Sequence, residues 1–225
     1  MTRENLSRQI HHIQDEILLL GSMVEQSMLS AIDCLKRRDV QTAHEIYVGD
    51  LLINDKRFAI ENAILILFAT QQPMAHDLRL LAAMLEINTE LERMGDYAKG
   101  NAKVVIKLGD APIDVPIKEL SRMAELSVSM LHRSLSAFIS ENVNQAMNIP
   151  HEDDVVDKLY NSVYHILVQN MIEHPEMIDQ INLLMWVAHN LERMADRATN
   201  ICERTVFIGT GELMEIGSAD DEDVE

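Results

Sequence analysis

The sequence has little of what a β-rich or disulfide-stapled protein needs. Of its 225 residues only 2 are cysteine, 5 proline and 8 glycine, and aromatics make up 4%. β-Sandwiches and barrels require frequent turns and aromatic or β-branched strands, so this composition favours helices. Cys34 and Cys202 form no Cys-x-x-Cys pair and no disulfide framework, which points to a reducing compartment, the cytoplasm. Cations are also scarce: 19 Lys and Arg stand against 37 Asp and Glu, a net charge of −18. Such a surface repels nucleic-acid phosphates and anionic headgroups, which argues against nucleic-acid binding. It suits cationic partners, either metal ions or basic protein patches, although solubility alone accounts for much of it. No basic segment followed by an apolar run marks a leader at the N-terminus. The longest purely apolar run, Ala63–Ala69, falls far short of the roughly 20 residues a bilayer span needs, so no membrane insertion is expected.

What is present is helical periodicity. Hydrophobic residues make up 47% of the chain, enough to build a core. Leu6, Ile10, Ile13, Ile17, Leu20, Val24, Met28, Ile32 and Leu35 step by three or four, the stripe of an amphipathic bundle helix. A second helix is expected over about 40–69. Pro73 is expected at an early position of a third that reaches Leu108. Gly109–Pro116 concentrates Gly, Pro and Asp and reads as a linker. The order then repeats: helices over about 117–140, 143–173 and 176–207, with a break at Pro175 and Gly209 and Gly211 available as C-terminal caps. The expected fold is all-α, two tandem pseudo-symmetric three-helix bundles lying side by side. Residues 1–108 form the first bundle, 109–116 the linker and 117–211 the second bundle. Residues 212–225 form an acidic, disordered tail.

"LERMGD" and "LERMAD" mark the repeat, with Glu92 and Glu192 standing 100 positions apart. Glu92 with Asp96, and Glu192 with Asp196, are i,i+4 pairs on one helix face. Like charges there cost a helix roughly 0.2–0.5 kcal/mol. A cost incurred in both halves asks for a compensating cation, either an arginine or a metal. Arg93 and Arg193 point elsewhere on the helix, and Tyr97 stands where the second half has Arg197. A second acidic pair lies on each middle helix, Asp50 with Asn54 and Asp153 with Asp157. If middle and last helices pack antiparallel, three or four oxygens converge in each half. Hard cations favour that arrangement: Mg²⁺, Mn²⁺, Ca²⁺ or iron.

Other chemistries leave no signature. Di-iron oxidases and ferritins carry Glu-x-x-His, which is absent here; His189-x-x-Glu192 is only its reverse. No phosphate loop, His-Glu-x-x-His or nucleophile elbow occurs, and no context marks any of the 9 histidines for phosphotransfer. The 14 methionines mostly fall on apolar stripes, as core filling requires.

The segments "GSMVEQSMLSAI", "GDLLIND", "QQPMAHDLRLL", "ELERMGDYA", "EDDVVDKLY" and "NLERMADRATNICE" together resemble the PhoU family, regulators of the phosphate-specific transport system, over nearly the whole chain. The resemblance implies a non-enzymatic cytoplasmic adaptor, often homodimeric. Such an adaptor couples the ATPase subunit of the phosphate ABC transporter to a PhoR-type sensor histidine kinase and holds the phosphate-starvation response off. It also implies a metal-binding signature for iron or other cations such as manganese, magnesium or zinc. By position the ligands are Asp50, Asn54, Glu92 and Asp96 in one half, and Asp153, Asp157, Glu192 and Asp196 in the other. Asn54 departs from an all-carboxylate set. The rival reading is a carboxylate-bridged metalloenzyme or metal store.

Overall fold

The computed structural model describes residues 3–111 and 114–217. It is all-helical, as the periodicity requires. Helices α1 (Arg3–Arg37), α2 (Val40–Gln71) and α3 (His76–Leu108) form the first bundle. Helices α4 (Ile117–Ile139), α5 (Val143–Asn148), α6 (Asp153–Glu173) and α7 (Ile178–Thr210) form the second. Helices α1, α3, α7 and α4 contact one another in sequence around the centre of the molecule. The long α2 packs outside α1 and α3, and α6 packs outside α4 and α7. The two bundles therefore share one continuous core, running from Ile10 to Ile208.

Each boundary has a local cause. Asp39 caps α2: it accepts from the Thr42 N–H at 3.0 Å and the Thr42 hydroxyl at 2.7 Å. Those two bonds hold its carboxyl below the usual aspartate range. Asp39→Ala is expected to lower the midpoint of a urea titration with unchanged slope. Gln72 (φ 46°) and Ala75 (φ 48°) are left-handed, so the chain turns twice between α2 and α3. Pro73 consequently lies in that turn rather than in the third helix, which begins only at His76. Gly211 (φ 81°) closes α7 by donating to Phe207 O at 2.9 Å, while Gly209 stays inside the helix.

The expected helix over 143–173 is interrupted. Pro150 supplies no N–H and opens a 3-10 turn over Pro150–Glu152, so α6 starts afresh at Asp153. A bidentate pair between Arg133 of α4 and Glu152 pins this turn, at 2.5 and 2.6 Å. The interruption puts Asp153 and Asp154 in the first turn of a helix, where the backbone dipole favours negative charge. Asp50, its counterpart, sits mid-helix in the uninterrupted α2.

By length and composition α1 is the one described helix that could cross a membrane. Its Ile17, Leu20, Val24 and Met28 are wholly enclosed, so that apolar length is spent on the core. The halves are joined at the centre by a buried amide pair, with Asn190 Nδ2 donating to Asn101 Oδ1 at 2.8 Å. Nearby, Arg197 of α7 reaches Tyr97 and Glu90 of α3, each at 3.3 Å. Beyond α7, residues 212–217 run back over the helix without regular structure. Ile216 packs on the core and donates its N–H to Glu203 Oε1 at 3.0 Å. The rest of the expected tail, 218–225, lies outside the described residues.

Candidate functional site

The packing of α2 on α3, and of α6 on α7, brings each middle-helix pair against its Glu-x-x-x-Asp partner. In the first half Asp50 is buried at 3% exposure. Its Oδ2 accepts from Asn54 Nδ2 at 2.9 Å and from Lys99 Nζ at 2.6 Å. Lys99 also lies 3.7 Å from Asp96. The hydrogen bond to Asp50 is the main cause of the upward pKa shift at Lys99, which keeps the ammonium charged. Glu92 is shifted up by burial first and Asp96 second, with Arg57 opposing. The compensating cation in this half is thus a lysine on the same helix as the acidic pair, three residues past Asp96. It is neither of the two cations, arginine or metal, that the sequence pattern suggests. The i,i+3 spacing of Asp96 and Lys99 was the available signal.

The second half has the carboxylates without that lysine. At the repeat positions Lys99 becomes Thr199, and Arg57 becomes Tyr160. Asp153 is 9% exposed. Burial, and then the charges of Asp157, Asp196, Glu192 and Asp154, push its pKa up to about 7. Glu192 is also pushed up to about 7, by burial and then by Asp196 and Asp157. Burial raises Asp196, against the opposing pull of Arg197, Arg193 and His189. Asp153 Oδ1, Asp154 Oδ1, Glu192 Oε2 and Thr199 Oγ1 are buried and make no hydrogen bond. His189 Nδ1 approaches Glu192 Oε2 to 3.3 Å without the geometry of one.

A cation meets different conditions in the two halves. In the first, Lys99 and Asn54 already occupy one oxygen of Asp50, leaving only Asp50 Oδ1 without a partner. That set does not fit a metal without displacing Lys99. In the second, mutually repelling carboxylates with orphaned oxygens fit a hard cation by charge and donor type. Among the described residues, however, no three carboxylate, imidazole or thiolate groups are drawn together tightly enough to ligate one ion directly.

Comparison with known proteins agrees with this duplicated plan. The PhoU domain model matches the chain twice, over residues 17–105 and 120–205. The chain belongs to the PhoU family. A phosphate-specific transport system accessory protein PhoU homolog from Clostridium acetobutylicum is 34% identical over 96% of this chain and 99% of its own length. A homolog of the same description from Caulobacter vibrioides is 33% identical, covering 94% and 92%. The crystal structure of the phosphate transport system regulatory protein PhoU from Streptococcus pneumoniae superposes with a TM-score of 0.86 at 32% identity, covering 93% of this chain and 99% of that one. PhoU from Pseudomonas aeruginosa gives 0.85 at 27% identity, covering 92% and 99%. These relatives bear accessory and regulatory names rather than enzymatic ones, and the PhoU fold here carries the same two three-helix bundles.

Proposed function

We propose that this PhoU-family chain is an accessory regulator of phosphate uptake. In this reading it couples the ATPase subunit of a phosphate ABC transporter to a PhoR-type sensor histidine kinase, so that starvation genes stay off while phosphate is plentiful. The observation that carries the reading is the near-full-length match to phosphate transport accessory proteins, in sequence and in fold. The acidic surface supports it, since it favours basic patches on protein partners over nucleic acid. The protein works in the cytoplasm, as a homodimer, and meets the membrane only through the transporter. Regulation proceeds by population shift, with one partner favouring a conformation that alters kinase output.

The cation belongs to the second half in this proposal. Asp153, Asp157, Glu192 and Asp196 hold it, and Lys99 replaces it beside Asp50, Asn54, Glu92 and Asp96. A bound divalent ion would neutralise the second-half repulsion and stiffen the packing of α6 on α7.

Deleting the gene is expected to switch on phosphate-starvation enzymes in phosphate-rich medium, with repression restored by the wild-type chain. Alkaline phosphatase activity reports this directly. Normal repression in the deletion strain would remove the regulatory reading.

A further inference from the structure

The chain has only 4 tyrosines and 1 tryptophan, and three of those five rings gather on one seam of the second bundle. Tyr160 and Tyr164 of α6 lie 6.5 Å apart between ring centroids. His189 of α7 stands 6.2 Å from Tyr160 and 6.4 Å from Trp186. The result is a ladder of four rings, Tyr164, Tyr160, His189 and Trp186, laid across the line where α6 packs on α7. Its two ends stand in solvent, with Trp186 54% exposed and Tyr164 44%. An indole left that far in water adds little to the core, so burial does not account for its place. Single exposed apolar residues need no account, whereas a contiguous group of rings does.

The fold does not require this ladder. At the repeat positions the first half carries Arg57, Glu61, Glu86 and Thr89 in place of Tyr160, Tyr164, Trp186 and His189. Arg57 pairs there with Glu61 at 2.7 Å, and Glu86 with Arg204 at 3.1 Å. The same helix packing is thus built without one aromatic ring at these places. In the second half the ladder runs into acid. Asp153, Asp157, Tyr160 and Tyr164 follow one another at spacings of four, three and four, which keeps them on one face of α6. Trp186, His189, Glu192 and Asp196 do the same on α7 at three, three and four. Burial, and then the charge of Glu192, push the Tyr160 hydroxyl's pKa up, so that carboxylate bears on the ladder. Residues 153–192 contain seven Asp and Glu against a single Lys or Arg, Lys158.

We propose that this seam docks a basic segment of a protein partner, with an arginine side chain stacked on the exposed rings of the ladder and its charge turned toward Glu192. A guanidinium stacks on aromatic faces and bonds to carboxylates, so one side chain matches both parts of the seam. Trp, Tyr and Arg are also the residues that carry most of the energy at protein interfaces. The surrounding carboxylates repel a phosphate backbone, which turns the seam away from nucleic acid. The proposal rests on the reading of the chain as an adaptor and gives that adaptor one docking face, present in the second half and absent from the first.

Trp186 is the only tryptophan in the chain, so its emission reports on the seam directly. The probe is hexa-arginine amide, titrated into the full chain in chelator at physiological ionic strength, where loose surface attraction is screened. A saturable change in Trp186 emission is expected. Tyr164→Ala keeps the reporter and is expected to weaken binding about tenfold, the scale of one well-placed cation–π contact. Trp186→Ala, followed by calorimetry, is expected to do the same. Both side chains are exposed, so both variants are expected to keep the wild-type melting temperature. Equal affinity in all three proteins, or no saturable response of the wild type, would overturn the docking face. Either result leaves the adaptor reading standing, since the deletion strain tests that separately. An emission change that grows with protein concentration alone would give the seam to a second copy. One produced by phosphatidylcholine vesicles and not by the peptide would give it to a membrane surface. Each of these two outcomes would also overturn the proposal.

Discussion

Replacing Asp153 with Asn and Glu192 with Gln together is expected to stabilise the metal-free protein at pH 8 and to abolish its stabilisation by divalent cations. Both carboxyls have folded pKa values of about 7, above the ordinary 3.8 and 4.5. A group raised in this way holds its proton in the folded state at pH values where the unfolded chain has released it. Folding stability therefore falls as pH rises through about 4 to 7, and the penalty is complete above that window. The two groups repel each other as well as suffering burial, so their penalties do not add. For the pair the cost at pH 8 is about 2–4 kcal/mol. The neutral variant escapes it, and a chain of this length responds with a rise of about 5–10 °C in melting temperature. At pH 4.5 the two proteins are expected to melt much closer together. Adding Mn²⁺ at pH 8 is expected to raise the wild type and leave the variant unmoved. An unchanged gap across pH, or equal cation shifts in both proteins, would contradict the account.

The second large effect comes from Lys99→Thr, which gives the first half the residue found at position 199. The change removes the ammonium 2.6 Å from Asp50 and leaves a 3%-exposed carboxylate facing Glu92 and Asp96. Breaking a fully buried pair costs about 3–5 kcal/mol. Lys99 itself is a third exposed, and solvent screening lowers the expected loss to about 1–3 kcal/mol. The loss is to be read by urea unfolding in the presence of chelator. Millimolar Mn²⁺ is expected to restore much of it, because the vacated space then presents Asp50, Glu92 and Asp96 to an ion. Lys99→Met removes the charge but fills the volume. It is expected to lose similar stability in chelator and to recover less with Mn²⁺. Rescue of neither variant would show that Lys99 is not standing in for a cation.

The helices and their duplication were legible because apolar residues recur every three or four positions and the Leu-Glu-Arg-Met copies fall on the same register. The placement of the four i,i+4 pairs was legible for the same reason, since that spacing fixes a helix face without knowledge of the fold. The asymmetry between halves needed one more residue. Lys99 lies within reach of that pattern, at i+3 from Asp96, but its selection of Asp50 depends on how α2 crosses α3. The interruption at Pro150 was signalled by the proline itself, yet the acidic run after it continues the helical pattern smoothly. Glu203 and Ile216, which bond across the end of α7, carried no local signal at all. Their meeting depends on the chain turning at Gly211 and returning over α7, and no periodicity encodes that return. The misplaced Pro73 has a similar cause, since two left-handed residues extend the turn beyond what one proline announces.

The two bundles of this PhoU-family protein therefore share a fold but treat their acidic clusters differently. One is neutralised from within by Lys99; in the other, Thr199 stands in that lysine's place, and the proposed cation would supply the charge. The measurement that tests this most directly is an anomalous-scattering map from crystals of the wild-type protein soaked in Mn²⁺. The account predicts a manganese peak among Asp153, Glu192 and Asp196, and none beside Asp50 and Glu92, where the Lys99 ammonium stays in place. Equal peaks in both halves, or a peak in the first half alone, would contradict it.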